Sequence, residues 1–189
     1  MALDMAGSKG ELVQASGDFA LSVADFVTVR GSLAFEKSRG DITLANGQTL
    51  VVDTLRVGGT GISAFAGVGG PYFVDSNNDG KIVVAGDNRD TPNPNAVGLV
   101  LSNAEFALAL ASVPSTANDL AGVTWLGLEL QASQAAFVGV DAITMAVSNI
   151  QVEINQVMGL APALDAANYV ADFKRMADPA NKLTPFAVA

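Results

Sequence analysis

Alternation between apolar and polar side chains dominates this chain. From Phe19 to Phe35 the odd positions read Phe19, Leu21, Val23, Asp25, Val27, Val29, Gly31, Leu33, Phe35, while Ser22, Thr28, Arg30, Ser32 and Glu36 occupy even ones. A period of two is the signature of a strand with one apolar and one polar row, and it predicts that the apolar row lies against a core. The same period recurs at Phe106, Leu108 and Leu110, at Thr124, Leu126, Leu128 and Leu130, and at Ile150, Val152 and Ile154. Ala96 to Val113, the most hydrophobic stretch, carries Asn103 and Glu105 near its middle and reads as buried strand rather than membrane span.

Turn chemistry supports the same picture. Asn46-Gly47 stands between Ile42-Thr43-Leu44 and Thr49-Leu50-Val51-Val52, which predicts a hairpin whose turn uses the left-handed backbone freedom of that dipeptide. Thr91-Pro92-Asn93-Pro94-Asn95 and Pro114 to Asp119 read as loops. They divide a β-rich module over residues 1–156 into sub-blocks of about 1–90 and 96–156. The C-terminal segment, 157–189, differs: beyond Pro162, Leu164, Ala167, Val170, Phe173 and Ala177 follow helical spacing, predicting a short helix of three or four turns.

One internal echo stands out. Val23-Ala24-Asp25-Phe26 followed by Ser32-Leu33-Ala34-Phe35-Glu36 lines up at identical spacing with Val140-Asp141-Ala142-Ile143 followed by Asn149-Ile150-Gln151-Val152-Glu153. Repetition of strand units along a stacked sheet would produce such an echo, and so would chance among β-strands. The fold class expected from all this is predominantly all-β: an elongated sheet, a sandwich or a β-solenoid, with one short C-terminal helix.

Composition narrows the chemistry. Of the 189 residues half are hydrophobic, which argues against disorder, and a chain of this length buries roughly 70% of its unfolded surface. Much of that apolar fraction is alanine, so a thin core is expected. Nineteen acidic against ten basic residues give a charge of -9, unfavourable to phosphate backbones and anionic headgroups, and no nucleic acid or membrane insertion is expected. The chain has neither cysteine nor histidine, which excludes disulfides, thiolate and imidazole ligands and histidine-based catalysis. Met1-Ala2-Leu3-Asp4 lacks the pattern of a signal peptide, so export would rely on a signal elsewhere.

The most legible site is Asp75-Ser76-Asn77-Asn78-Asp79-Gly80. Asp75, Asn77 and Asp79 stand at alternate positions before a glycine, the spacing by which a calcium loop turns three oxygen-bearing side chains inward, with the Lys81 carbonyl following. The twelfth position is Gly86 instead of a bidentate glutamate, leaving Asp87, or else Asp90, to close the shell. Strand-like flanks, Pro71-Tyr72-Phe73-Val74 and Ile82-Val83-Val84, replace the helices of the helical-hand motif. The simpler alternative is a polar hairpin turn joining Tyr72-Phe73-Val74 to Lys81-Ile82-Val83.

Other signals are weaker. Gly58-Gly59-Thr60-Gly61 and Gly67-Val68-Gly69-Gly70 lack the lysine and helix of a nucleotide loop and read as turns. Trp125, the one tryptophan, is either a packed strand residue or a ligand-stacking platform. Carboxylate pairs such as Asp4 with Glu11 or Glu129 with Asp141 could serve a glycosidase only at a suitable separation in space. No nucleophile and base can be paired, so no enzyme is expected.

The segments Gly17 to Val23, Val29 to Lys37, Ile62 to Gly70, Asn95 to Leu99 and Phe137 to Asp141 together resemble a repeat unit of very long bacterial calcium-dependent surface or secreted proteins, adhesin-like and related in style to the RTX group. The resemblance spans about residues 3–156, and the nonapeptide RTX repeat is not among its elements. It implies a tandem structural module, an extracellular or cell-surface location and calcium dependence. The partners it implies are tandem neighbouring modules or further copies of the chain; a glycan or other surface ligand is the alternative, with Trp125 or Tyr72 as contacts.

Overall fold

The structure is a computed structural model, and it describes residues 11–24, 26–84, 86, 89–114, 120–140 and 143–173. Eight strands and one helical turn follow in order: β1 (Leu12–Val23), β2 (Val27–Thr43), β3 (Thr49–Val68), β4 (Phe73–Val74), β5 (Thr91–Pro92), β6 (Val97–Ser112), β7 (Thr124–Val138), β8 (Met145–Met158) and α1 (Ala166–Tyr169). Six of them form one antiparallel sheet in the order β1-β2-β3-β6-β7-β8, with β1 and β8 at its edges, and β4 pairs only with β5. The expected β class is thus present, as a single open sheet; β3 of the first sub-block pairs along its length with β6 of the second. The strands are long, up to 20 residues in β3, or about 65 Å at the usual rise.

The alternating runs fall on strands as expected. Their apolar rows, however, do not line the largest buried cluster. Registered across the sheet, Ala15, Phe35, Val57, Leu108, Leu128 and Ile154 form one continuous row. Phe35 is 41% exposed and Ile154 39%. Among the described residues two buried clusters lie on the other face, at opposite ends of the strands, and a third and smaller one, Ile62, Ala104 and Ala132, lies on the alternating face among Val29, Leu101, Phe106 and Ile150.

At one end, Ile42, Leu44, Leu50, Val52, Ala111 and Trp125 pack beneath the C-terminal segment, with Leu160, Leu164, Tyr169 and Phe173 against them. At the other, Phe65, Ala96 and Val100 pack beneath the β3–β6 connection, which contributes Tyr72 and Phe73. Between the two caps this face is polar: Glu36 is paired with Arg56 at 3.4 Å, and Glu129, Gln131 and Glu153 are exposed.

Gly47, in the left-handed region at φ 84°, makes the predicted β2–β3 hairpin, and its N–H donates to the Leu44 carbonyl at 2.9 Å. Asn46 keeps a negative φ and uses its side chain instead, accepting from the Gln48 N–H at 2.9 Å. The echoed tetrapeptides occupy equivalent places: Val23 to Phe26 turns β1 into β2 and Val140 to Ile143 turns β7 into β8. Each turn closes with a 3.0 Å bond from its fourth N–H to its first carbonyl.

Three expectations are corrected, and of the two readings of Trp125 the packed one holds. Gly58 to Gly61 is no turn but lies within β3, where Gly61 at φ 59° marks a register shift. Thr91 and Pro92 form β5 rather than loop. Among the described residues the C-terminal helix α1 is a single turn of four residues, capped by the Asp165 carboxylate on the Ala167 N–H, and Ala177 of the predicted spacing lies outside them. It stops because the next groups engage the sheet: the Val170 carbonyl accepts from Ala45, the Asp172 N–H donates to Thr43, and Asn155 holds the Ala171 carbonyl. Trp125, finally, is fully buried and donates from Nε1 to the Tyr169 carbonyl at 2.6 Å, so it is not a ligand platform.

Candidate functional site

The calcium-type loop lies in the β3–β6 connection, directly after β4. Asp75 follows the last β4 residue, and β4 is held by its pairing to β5 through Phe73–Pro92 and Val74–Thr91. Asn93 secures the base of the connection: its side-chain amide donates to the carbonyls of Gly69 at 2.8 Å and Pro71 at 3.1 Å. Tyr72 and Phe73 meet edge to face, with ring centroids 4.8 Å apart. The hairpin that would join residues 72–74 to 81–83 does not form, since the partner of β4 is β5.

Within the loop the three motif side chains meet. Asp75 Oδ1 and Asn77 Oδ1 both accept from the Asp79 N–H at 3.2 Å, and Asp75 Oδ2 accepts from the Gly80 N–H at 2.9 Å. The Asn77 amide donates to Asp79 Oδ2 at 2.8 Å, and Asp79 Oδ1 accepts from the Lys81 N–H at 2.8 Å. Gly80, at φ 82°, supplies the sharp bend that lets the chain fold back over Asp75. Asn78 is also left-handed, at φ 56°, a conformation asparagine tolerates better than most residues. The Lys81 N–H and the Asn77 amide hold the exposed Asp79 carboxyl below its ordinary value.

Two further residues tie this loop down, and the motif alone shows neither. Arg30, on the polar row of β2, reaches Asp75 Oδ2 at 3.2 Å, with the carboxylate largely buried. Asp90, buried to 3% exposure, accepts from the Ser76 N–H through Oδ1 and from the Val83 N–H through Oδ2, each at 2.8 Å. Its own N–H donates to the Val83 carbonyl at 2.7 Å, so Asp90 closes the stretch from 76 to 90 into a ring. Both of its oxygens serve backbone groups. A buried carboxylate so placed is a latch on the connection.

Asp87, the other candidate closing ligand, lies outside the described residues, as do Asp4 and Asp141 of the carboxylate pairs. Among the described residues no group of three or more His, Cys, Asp or Glu side chains is placed to hold a metal. The motif's donor set is instead mixed: two carboxylates, an amide oxygen and a peptide carbonyl. Hard oxygen donors of that mixture are the kind calcium takes.

Family models, curated proteins and solved structures were all compared with the chain. None matches it. Also among the described residues, no helix is long and apolar enough to cross a membrane. What the geometry offers is therefore a short, pre-bent oxygen-rich loop fastened to the long sheet by Arg30 and to its own connection by Asp90.

Proposed function

We propose that this chain is a non-catalytic structural module, stabilised by calcium at the 75–81 loop, of an extracellular bacterial adhesin or fibre-forming surface protein. The observation that carries the calcium part is the convergence of Asp75 Oδ1 and Asn77 Oδ1 on one N–H, with Asp79 in contact with Asn77. An ion bound there would draw on Asp75, Asn77, Asp79 and the Lys81 carbonyl, with Asp87 as the closing ligand. The structural part is supported by long strands in one sheet and by a loop whose ties are to backbone and sheet rather than to a cavity.

Calcium here rigidifies. It offsets the negative charge of the loop, in a chain of net charge -9, and locks the β3–β6 connection onto the sheet. Modest affinity, matched to extracellular calcium, follows from the missing bidentate glutamate. The carbohydrate-binding alternative loses Trp125 as a contact, since that side chain is fully buried.

Thermal melting with and without calcium tests the proposal. At a calcium concentration about 100 times the dissociation constant, linkage gives ~2.7 kcal/mol, and a chain of this size then melts roughly 5–10 °C higher. Asp75→Ala and Asp79→Ala should abolish the increment. Equal midpoints in calcium and in chelator would sink the calcium role.

A further inference from the structure

Among the described residues no other element packs over one face of the sheet, and that face is apolar from edge to edge. Five successive rows across the six strands contain only Gly, Ala, Val, Leu, Ile, Phe and Met; one runs Leu21, Val29, Ala64, Leu101, Ala135, Val147. The opposite face at the same level carries Glu36, Arg56, Glu129 and Glu153. Exposure on the apolar face is high at its larger side chains, 52% at Leu21 and Leu99 and 57% at Val147, while Ile62, Ala104 and Ala132 in its middle row are buried among Val29, Leu101, Phe106 and Ile150. Polar residues appear on it only toward one end, where Arg39 pairs with Asp53 at 2.7 Å.

Its size decides what can cover it. At strand spacings of ~4.8 Å and a rise of ~3.3 Å per residue, five rows two residues apart on six strands span roughly 33 by 28 Å, or about 900 Å². Monomeric proteins rarely expose a continuous apolar patch above ~600 Å². Two such faces laid together bury about 1,800 Å², within the ~1,200–2,000 Å² of a stable protein–protein interface. The apolar centre with an ion-paired rim also matches the anatomy of such interfaces.

We infer that this face is the docking surface for a second copy of the same chain, the two sheets stacking face to face into a sandwich about a twofold axis. Two identical sheets of the same twist stack with their strands within about 30° and ~10 Å apart, so no second kind of surface is required. A lipid bilayer fits less well. Lipid-facing sheets carry aromatic girdles at their two interfaces, whereas Trp125, Tyr72 and Tyr169 all pack on the opposite face. The inference deepens the structural-module reading, on which it rests only in that copies of this unit meet; it is independent of calcium.

Sedimentation of the full chain, in calcium and in chelator, is expected to show a dimer. Val152→Lys with Ile154→Lys, at exposed positions of the edge strand β8, should weaken it by at least ~100-fold, because each copy then brings two unpaired ammonium groups into the apolar contact. Glu153→Lys, between them on the opposite face, should not. The chain has no cysteine, so single cysteines report the faces directly: Leu128→Cys should cross-link two copies on oxidation and Glu129→Cys should not. This second measurement holds even where the lysine variants fail to fold. A monomer at ~100 μM in both buffers overturns the inference. So do cross-linking through Glu129→Cys alone, a dimer indifferent to the two lysines in a folded variant, and a monomer that instead inserts into phosphatidylcholine vesicles. A dimer whose melting midpoint is the same in calcium and in chelator would sink the calcium role alone, and a monomer whose midpoint rises with calcium the stacking alone.

Discussion

The guanidinium of Arg30 sits 3.2 Å from the carboxylate of Asp75, bridging a sheet strand and a loop 45 residues further along the chain. Asp75 also holds the N–H groups of Asp79 and Gly80, so a single carboxylate joins the bend of the loop to the sheet beneath it. Removing the cation leaves a largely buried carboxylate with backbone partners only. Arg30→Gln should therefore destabilise the calcium-free chain by about 1 kcal/mol, read by urea denaturation. Calcium should recover part of that loss, since the ion supplies the charge that Arg30 no longer does. A variant as stable as wild type in chelator would mean that the bridge contributes nothing.

Asp79 gives a pH test of the same loop. Its pKa lies below the ordinary 3.8 because the Lys81 N–H, and after it the Asn77 amide, favour the charged form. A carboxyl whose folded pKa is depressed contributes stability that is present above its unfolded value and is lost as pH falls through the folded one. The loop should stay intact on acidification to the usual carboxylate range and loosen only below it. Side-chain carbonyl NMR in chelator should place the Asp79 midpoint under 3.8, and Asn77→Ala should bring it closer to that value. A midpoint above 3.8 would contradict the hydrogen bonding described.

Trp125 ties the opposite cap. It is fully buried, and its Nε1 donates to the Tyr169 carbonyl, while its neighbour two residues on, Gly127, lies under the ring of Phe173. A methyl group at Gly127 would stand 2.6 Å from that ring. Trp125→Ala should cost about 3–5 kcal/mol through the cavity it leaves. Gly127→Ala should act through displacement of Phe173, and Phe173→Ala should relieve much of its added cost. Limited proteolysis near residues 160–173 should accelerate in both single variants. Additive losses for Gly127→Ala and Phe173→Ala would show that the two positions do not touch in solution.

The sheet was legible because alternation is a local property: Leu126, Leu128 and Leu130 announce a strand whatever lies above them. Which face of that strand is covered is not local. Val23 to Phe35 and Ile150 to Ile154 display the stronger apolar rows, yet the chain packs its caps on the weaker rows behind them, where Trp125, Ile42 and Phe65 are set among polar neighbours. The loop was legible as a motif because Asp75, Asn77, Asp79 and Gly80 sit within one turn. Arg30 was not, being 45 residues away with nothing in its own surroundings to distinguish it from any polar-row residue. Asp90 offered a signal, a lone acid beyond a polar loop, but its task there is to satisfy the N–H groups of Ser76 and Val83, which only the folded backbone shows. The C-terminal helix failed for a related reason: helical spacing at Leu164, Ala167 and Val170 competes with backbone partners on Thr43 and Ala45, and the partners win.

Two asparagines mark where the sheet bends. Asn103 in β6 and Asn149 in β8 take φ values of 48° and 55°, left-handed residues inside otherwise extended strands. Beyond them the parity of each strand changes, so Leu101 continues the apolar row that Ala104 and Phe106 began, and Val147 continues that of Ile150. Without the extra residue, every side chain beyond the irregularity would face the wrong side. Valine at these positions must adopt a backbone that β-branched residues strongly disfavour, whereas glycine adopts it freely. Asn149→Val should therefore destabilise the chain by about 1–2 kcal/mol, and Asn149→Gly should stay within about 0.5 kcal/mol of wild type. Asn103 also donates to the Ser133 hydroxyl at 3.2 Å, so Asn103→Gly should cost slightly more than Asn149→Gly. Equal losses for valine and glycine at 149 would show that the left-handed backbone is not what the asparagine is there to hold.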